Sequence, residues 1–365
     1  MQIKEIRHHQ LQAYIDSEAY KKDAYIAISK HRALSHIRNP RAKANDLVLV
    51  LVYQDLEMVA YLGVFADDLH FDAGIEHVGW LSCMWVNPMM RGKGVAKKLI
   101  QTVFEAWEYK ILVTEFTPAA AGLYQRTGQF IDLKNQAGLR AYLRPNLAYL
   151  LPNKNPKYLP FKGLLTLFDL AAKLPNYLRL KGHRYSLPAF EYLSEIDAES
   201  WQFIQQNTRP NLVKRNKEDL NWMLKNPWLI AAPMQDHSAG RYSFTALANR
   251  FQFLSIKVFD EALHLQGLLL LSIKDRQLKI PYCFCKEGTE KTMLHLIYHH
   301  MIILDLDMFT VYQPALIDVL KKNKHPFYHI RNFKRRYIVG KVLEEKLKTN
   351  QAFEMQDGDA DAAFT

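Results

Sequence analysis

Cysteine is nearly absent from this sequence: Cys83, Cys283 and Cys285 are the only three in 365 residues. So sparse and odd a count excludes a disulfide framework and points to a reducing compartment. Cys283 and Cys285 are separated by one residue in an apolar run, which places them on one face of a strand. A structural zinc site would need two such pairs at wider spacing. No run of 18 apolar residues occurs, so no membrane-spanning helix is expected. The first twenty residues lack the apolar centre of a signal peptide, and cytoplasm is the expected location. No helix-turn-helix and no basic, aromatic strand platform is recognisable, so nucleic acid is not an expected partner.

What is present is ordinary globular material, with 49% hydrophobic and 23% charged residues. At about 100–200 residues per domain, the length predicts two domains. Each is long enough to bury its own core. The formal net charge of +11 favours anionic partners without choosing among them.

Along the chain, residues 46–64 hold two β-rich runs around a polar turn at Gln54 and Asp55, which predicts a hairpin. Residues 80–86 predict a third strand. Residues 95–107 show helical spacing through Val95, Leu99, Ile100, Val103, Phe104 and Trp107. A strand at 111–116, a helix at 119–126 stopped by Gly128, and two short strands at 130–133 and 139–143 complete this half. A proline-punctuated basic stretch follows, with a predicted helix at 161–174. The order of elements then repeats: helical residues 197–227 correspond to 16–40, the strand pair in 251–273 to 46–64, and a strand at 278–285 to 80–86. A helix at 289–304, a strand at 308–312, a helix at 315–322 and closing strands at 327–330 and 336–339 follow. The expected boundaries are 1–145, a linker at 146–187, a second domain at 188–345 and a disordered acidic tail at 346–365. From 151 to 190 there are seven Lys or Arg against one Asp, so the linker helix could rest on a membrane surface or dock on its own domain.

The informative segment is residues 85–99, WVNPMMRGKGVAKKL. A strand enters a loop containing Gly92 and Gly94, and the loop opens a helix. Glycine lets the backbone approach a bulky anion, and the helix start offers unpaired N–H groups and a positive dipole end. Together they form a seat for a pyrophosphate, with Arg91, Lys93, Lys97 and Lys98 nearby. No Gly-Lys-Ser/Thr follows at Walker spacing, and three spaced glycines of a dinucleotide fingerprint are lacking.

This segment resembles the acyl-CoA loop of the GNAT N-acetyltransferase superfamily: a strand, often Val-x-Pro, then Gln/Arg-x-x-Gly-x-Gly/Ala, then a helix. Gly92 and Gly94 match the small positions, while Met89 stands where Gln or Arg is usual. Residues 122–130, GLYQRTGQF, resemble the family's Leu-Tyr-x-x-x-Gly-Phe segment with Gln129 inserted, and Thr117 stands where Asn is frequent. The resemblance covers roughly residues 1–145. It implies an α/β fold of tandem GNAT-like domains, each with a mixed, mostly antiparallel central sheet flanked by helices, the second degenerate. It also implies acetyl-CoA as co-substrate and direct transfer of acetyl to a primary amine of a small molecule or amino sugar. Backbone groups of Trp85 and Val86 would hold the pantetheine arm, and Arg91, Gly92, Lys93, Gly94, Val95 and Ala96 the pyrophosphate. Tyr124 would protonate the leaving sulfur, and Glu76, then His77, would be the base, with Glu115 a third candidate. No metal is expected. His295, His299 and His300 have helical spacing but no third ligand nearby in sequence. Residues 286–289 hold one glycine, so the second half is not expected to bind CoA. Two other readings remain open: a tandem acyl or aminoacyl transferase of the Fem type, and a non-catalytic acetyl-CoA sensor.

Overall fold

Residues 47–52 are apolar at every position, and such a strand is stable only where both sheet faces are covered. The computed structural model, which describes residues 1–232, 240–350 and 352–364, places this strand inside a 12-stranded sheet with helices on both sides. The first half begins with β1 (Gln2–Arg7), then α1 (Leu11–Asp16), α2 (Glu18–Lys22) and α3 (Lys30–Ile37). Strands β2 (Leu47–Gln54), β3 (Glu57–Phe71) and β4 (Gly74–Val86) continue the antiparallel ladder from β1. The β2–β3 turn has positive φ at both Asp55 and Leu56, the geometry of a two-residue hairpin that matches strand twist. Then come α4 (Val95–Ala106), β5 (Ile111–Thr114) parallel to β4, α5 (Pro118–Thr127) and β6 (Phe130–Tyr142).

Helices α6 (Leu147–Lys154) and α7 (Lys162–Gly182) connect the halves. The second half holds β7 (Ala189–Leu193), α8 (Ala198–Gln206), α9 (Lys217–Lys225) and a two-strand patch of β8 (Ile230–Ala231) and β9 (Leu247–Ala248). It then repeats the first: antiparallel β10 (Phe251–Phe259), β11 (Leu265–Lys274) and β12 (Gln277–Cys285), helix α10 (Glu290–Ile303), strand β13 (Met308–Val311) parallel to β12, helix α11 (Pro314–Lys322), and β14 (His329–Gly340). Helix α12 (Glu344–Thr349) follows.

The sheet order is β1-β2-β3-β4-β5-β14-β6-β13-β12-β11-β10-β7. The closing strands are exchanged: β14 pairs with β5, and β6 pairs with β13. Between them, β6 and β14 form an antiparallel ladder from Phe130↔Gly340 to Tyr142↔His329. One apolar cluster spans the halves, joining Phe65, Val78 and Trp80 to Leu268, Tyr282, Trp228 and Phe364. Helix α4 covers the opposite face of the first half, and α10 and α11 that of the second.

The halves also share a buried ion cluster. Asp67 of β3 is fully buried and accepts both Arg215 amino groups at 2.7 and 2.8 Å, Arg41 at 2.7 Å and the Trp80 indole at 3.2 Å. Burial alone would raise the Asp67 carboxyl pKa, but Arg215 and Arg41 outweigh it and lower it. A second clamp lies at the far end of β4. The His77 ring meets Asp68 at 2.8 Å and Asp46 at 3.0 Å and leans on Trp107. Burial would lower the His77 pKa, but Asp46 and Asp68 dominate and raise it to about 9.

Four expectations change. The polar stretch within 134–138 looked like a break between two strands, yet it pairs across the ladder, so β6 is one strand; the same holds for β14. The predicted helices at 16–40 and 197–227 are each split, into α1–α3 and α8–α9. Helix α7 continues through Pro175 to Gly182. The tail expected to be disordered is packed. Residues 351 and 365 lie outside the described residues, but Asp357, Asp359 and Phe364 are buried, and Phe364 stacks on Trp228 at 4.5 Å. Its acidity is matched by buried arginines, with Arg335 pairing Asp357 at 2.5 Å.

Two stability tests follow from the ion clusters. Asp67→Ala leaves two guanidinium groups without their main partner and should cost about 3–5 kcal/mol in urea unfolding. Because the Asp67 pKa is lowered on folding, its stabilisation is present at neutral pH and is lost as pH falls through the acidic range. For His77 the sign reverses. The raised pKa stabilises fully below its unfolded value of about 6.5 and is lost as pH rises through about 9, so wild type and His77→Gln melting curves should converge at alkaline pH.

Candidate active site

Strands β4 and β5 pair only at Gly79↔Ile111 and Trp80↔Leu112, and beyond these positions they diverge. At the same place β4 carries a bulge. Gly63 faces Ser82 and Tyr61 faces Trp85, so Cys83 and Met84 oppose Leu62 alone, and Cys83 takes a φ of 58°. A bulge turns a strand away from its neighbour and re-aims its backbone groups. Divergence and bulge together open a cleft of about 1060 Å³ between β4, the start of α4, the end of β5 and α5.

The loop forms the outer wall. Pro88–Met90 makes a single 3-10 turn, Gly92 and Gly94 hold φ of +78° and +76°, and α4 starts at Val95. A Cβ would have free space at both glycines, so their requirement is the left-handed backbone rather than room. No acidic residue lies in the first turn of α4. The helix is twelve residues long and fixed by Val95, Leu99, Ile100, Val103 and Phe104 against the sheet, so its unpaired N–H groups face the cleft mouth. Trp85, Val86, Arg91, Gly92, Gly94, Val95 and Ala96 all line the cleft, as does Lys97. Lys93 does not; its ammonium lies 3.9 Å from the Met90 sulfur. These groups fit an elongated ligand with a pyrophosphate at the α4 end.

The inner end is polar. Tyr124, on α5, lines the cleft between Phe116 and Phe130. Burial, then the negative charge of Asp361, pushes its phenol pKa up to about 12, so it remains protonated at neutral pH. Opposite stands Asp361, from the tail, accepting the Ser82 hydroxyl. Burial raises the Asp361 pKa, with Arg32 and the Ser82 hydrogen bond opposing and Glu115 assisting. A carboxylate beside Ser82 and a neutral phenol in the same cleft are a potential proton acceptor and donor.

Glu76 and His77 do not line this cleft. They sit seven and six residues before Cys83 on an extended strand, about 20 Å away at strand rise. Glu76 is held by ion pairs to Lys346 and Lys110, and the Lys346 hydrogen bond, above all, lowers its pKa. The structure therefore gives both residues structural partners instead of a place at the reacting atoms. Glu115 does line the cleft but is tied to Arg335 of β14, and burial is outweighed by that charge, which lowers its pKa. Asp361 was missed because an acidic, small-residue tail reads as solvated chain. The one local signal is Gly358, where a Cβ would sit 2.2 Å from the Tyr282 ring, a close approach a solvated segment has no need of.

Behind Cys83 lies a cavity of about 210 Å³ lined by Ser29, Arg32, Trp228, Tyr242, Phe244 and Lys274. Arg32 stacks on Trp228 at 4.0 Å and donates to Ser82 at 2.6 Å and Tyr242 at 3.2 Å. Phe244 and Cys83 border both spaces, so the two are contiguous.

Among the described residues, the second half has no equivalent cleft between its diverging strands. Strands β12 and β13 also diverge, pairing only at residues 277–279 and 308–310, but only about 20 Å³ remains there. Glu290 opens α10 and pairs with Arg209, placing a carboxylate where an anion would need to bind. Gln356 of the tail fills the gap, hydrogen-bonded to Gln313 at 2.7 Å. His295, His299 and His300 are held by Ser186, Tyr185, Tyr192 and Leu296, and no metal-binding cluster occurs among the described residues.

Comparison with known proteins agrees with this geometry. Residues 45–128 match the family model described as an acetyltransferase (GNAT) domain. No curated protein matches the chain. Among solved structures, a conserved protein of unknown function from Enterococcus faecalis V583, described as a probable N-acyltransferase, is similar over 93% of this chain and 73% of its own, at 9% identity and a TM-score of 0.52. Saccharomyces cerevisiae N-myristoyltransferase with bound myristoyl-CoA is similar over 93% of this chain and 82% of its own, at 11% identity and the same TM-score. At such identities these likenesses establish the fold. Residues 45–128 thus carry the match to a GNAT acetyltransferase domain, in a chain whose fold as a whole is GNAT-like.

Proposed function

We propose that the protein is an N-acetyltransferase that moves acetyl from acetyl-CoA to a primary amine of a small molecule. The observation that carries this reading is the cleft itself: a helix N-terminus at one end, and a protonated Tyr124 facing Asp361 at the other. Arg91, Lys97 and the N–H groups of residues 92–96 would hold the pyrophosphate, and the exposed β4 edge at Trp85 and Val86 the pantetheine amides. The yeast neighbour was solved with myristoyl-CoA. Here the inner end carries Ser82 and Asp361, with Arg32 behind Ser82, and such groups disfavour a long apolar chain, which supports acetyl.

In the reaction, Asp361 takes a proton from the acceptor ammonium, and the free amine attacks the thioester carbonyl carbon. The bulged backbone at Cys83 and Met84 stands beside the resulting oxyanion. When the C–S bond breaks, the sulfur takes the Tyr124 phenol proton, and the surplus proton on the attacking nitrogen passes to the resulting phenolate, which leaves a neutral amide and restores Tyr124. The acceptor would occupy the cavity behind Cys83, where Arg32 and Lys274 favour amines that also bear an acidic group.

Acetyl-CoA binding measured by calorimetry should be micromolar for the wild type and absent in Gly92→Glu, Gly94→Glu. Melting curves check that the double variant, strained by about 1–3 kcal/mol per left-handed position, stays folded. Binding without turnover over an amine panel would favour the sensor reading, and turnover that requires charged tRNA the Fem-type reading. For an active amine, Asp361→Asn and Tyr124→Phe should each lower kcat by about 10²–10⁴ with KM for acetyl-CoA little changed. The wild-type rate should rise with pH through an Asp361 pKa above the ordinary carboxylate range, and Asp361→Asn should lose that limb. An unchanged profile sinks the assignment of Asp361.

A further inference from the structure

The segment that joins the halves shows an unusual distribution of apolar side chains. Helix α7 has 21 residues, and Leu165 is its single buried one. Its inner face is fixed by Arg179, which donates to the Leu143 carbonyl at 2.7 Å, and by Asp169, which caps α6 through the Leu147 and Ala148 amides at 2.7 and 2.9 Å. The outer face carries Leu164, Leu167, Phe168, Leu174 and Leu178, all between 53% and 66% exposed. Their spacing of three, four, ten and fourteen residues from Leu164 puts them on one stripe of an α-helix. Phe161, just before the helix, extends that stripe at 56% exposure. An amphipathic helix ordinarily turns its apolar stripe to the core, whereas this one turns it to solvent. Single exposed apolar residues are common on proteins, but a contiguous stripe of this kind marks an interaction surface.

The charges around the stripe select its occupant. Leu170 and Tyr177, 58% and 59% exposed, widen this apolar face as far as Lys162 and Lys173, which are exposed at its edge; Lys181 is exposed within it, and Lys154 and Lys157 precede it. The one acid in this stretch, Asp169, is spent on capping α6. An apolar stripe bordered by lysines complements an anionic lipid surface, where leucine and phenylalanine enter the acyl boundary and the ammonium groups meet phosphates. A second copy is a poorer match, because symmetric pairing would bring the same lysines together. Helix α7 is not apolar enough to cross a bilayer, so it would lie in the interface plane. We infer that the exposed face of α7 docks the protein on an anionic membrane surface. This is independent of the acetyl-transfer reading, since α7 contributes nothing to the cleft.

Sedimentation of the full chain with vesicles of phosphatidylcholine, and of phosphatidylcholine mixed with phosphatidylglycerol, tests this directly. The wild type should co-sediment with the anionic vesicles and much less with the neutral ones. Leu167→Asn, Phe168→Asn, Leu174→Asn together should reduce anionic binding at least about tenfold, and Lys162→Glu, Lys173→Glu should remove the preference for anionic lipid. All five side chains are exposed, so melting temperatures should be preserved. Absence of vesicle binding overturns the inference. So does a wild-type dimer in light scattering that ignores vesicles and is dissolved by the triple variant, which would make a second copy the occupant. Equal binding to both vesicle types overturns the anionic assignment.

Discussion

The exchange of closing strands constrains everything else in this molecule. A strand exposes unpaired N–H and C=O groups along its edge, and burying them without partners costs more than most side-chain contacts return. Here β5 ends the first half's own ladder, and its partner is β14, which arrives more than 200 residues later in sequence. The β6–β14 ladder is the seam, and β6 in turn completes β13. Neither half closes its sheet alone. The buried Asp67–Arg215 pair and the apolar cluster around Trp80 and Tyr282 reinforce the same seam. Both halves therefore hold β4 and β5 at the angle that opens the cleft.

The exchange also has a chemical consequence. Because β14 lies beside β5, Arg335 reaches Glu115 and stacks on Tyr312 at 3.9 Å while holding Asp357. Glu115 is then committed to an ion pair and is a poor proton acceptor. Asp361 differs. Its nearest cation, Arg32, is shared among Ser82, Cys83 and Tyr242, and burial prevails, so its pKa rises rather than falls. Two carboxylates in one cleft are thus pushed apart by their surroundings, a pattern that separates a structural group from one poised to take a proton.

The order of elements was readable because each carries a local signal. The hairpin at Asp55, the spacing from Val95 to Phe104, the glycines at 92 and 94 and the stop at Gly128 all act within a few residues. The glycine loop and helix start proposed to seat a pyrophosphate were legible for the same reason, since a helix N-terminus is built from contiguous chain. The exchange was not, because strand pairing across the seam leaves no mark in local pattern; the polar residues of β6 looked like a break. Glu76 and His77 were misplaced because distance along a strand is invisible when only proximity to the loop in sequence is judged. The tail was misread for a related reason: Asp357, Asp359 and Asp361 look solvated until Arg335, Arg215 and Arg32 are placed around them.

The two halves share one order of elements but differ where their strands splay, and the tail links the two outcomes. It enters the splay between β12 and β13, where Gln356 binds Gln313, Gly358 presses on Tyr282 and Asp359 receives the Tyr282 hydroxyl at 3.2 Å. That occupation leaves only about 20 Å³ in the splay itself. The same segment, three residues beyond Gly358, reaches Ser82 with Asp361, and Phe364 then locks it on Trp228. The filled site of one half is therefore the track that delivers a carboxylate to the open site of the other.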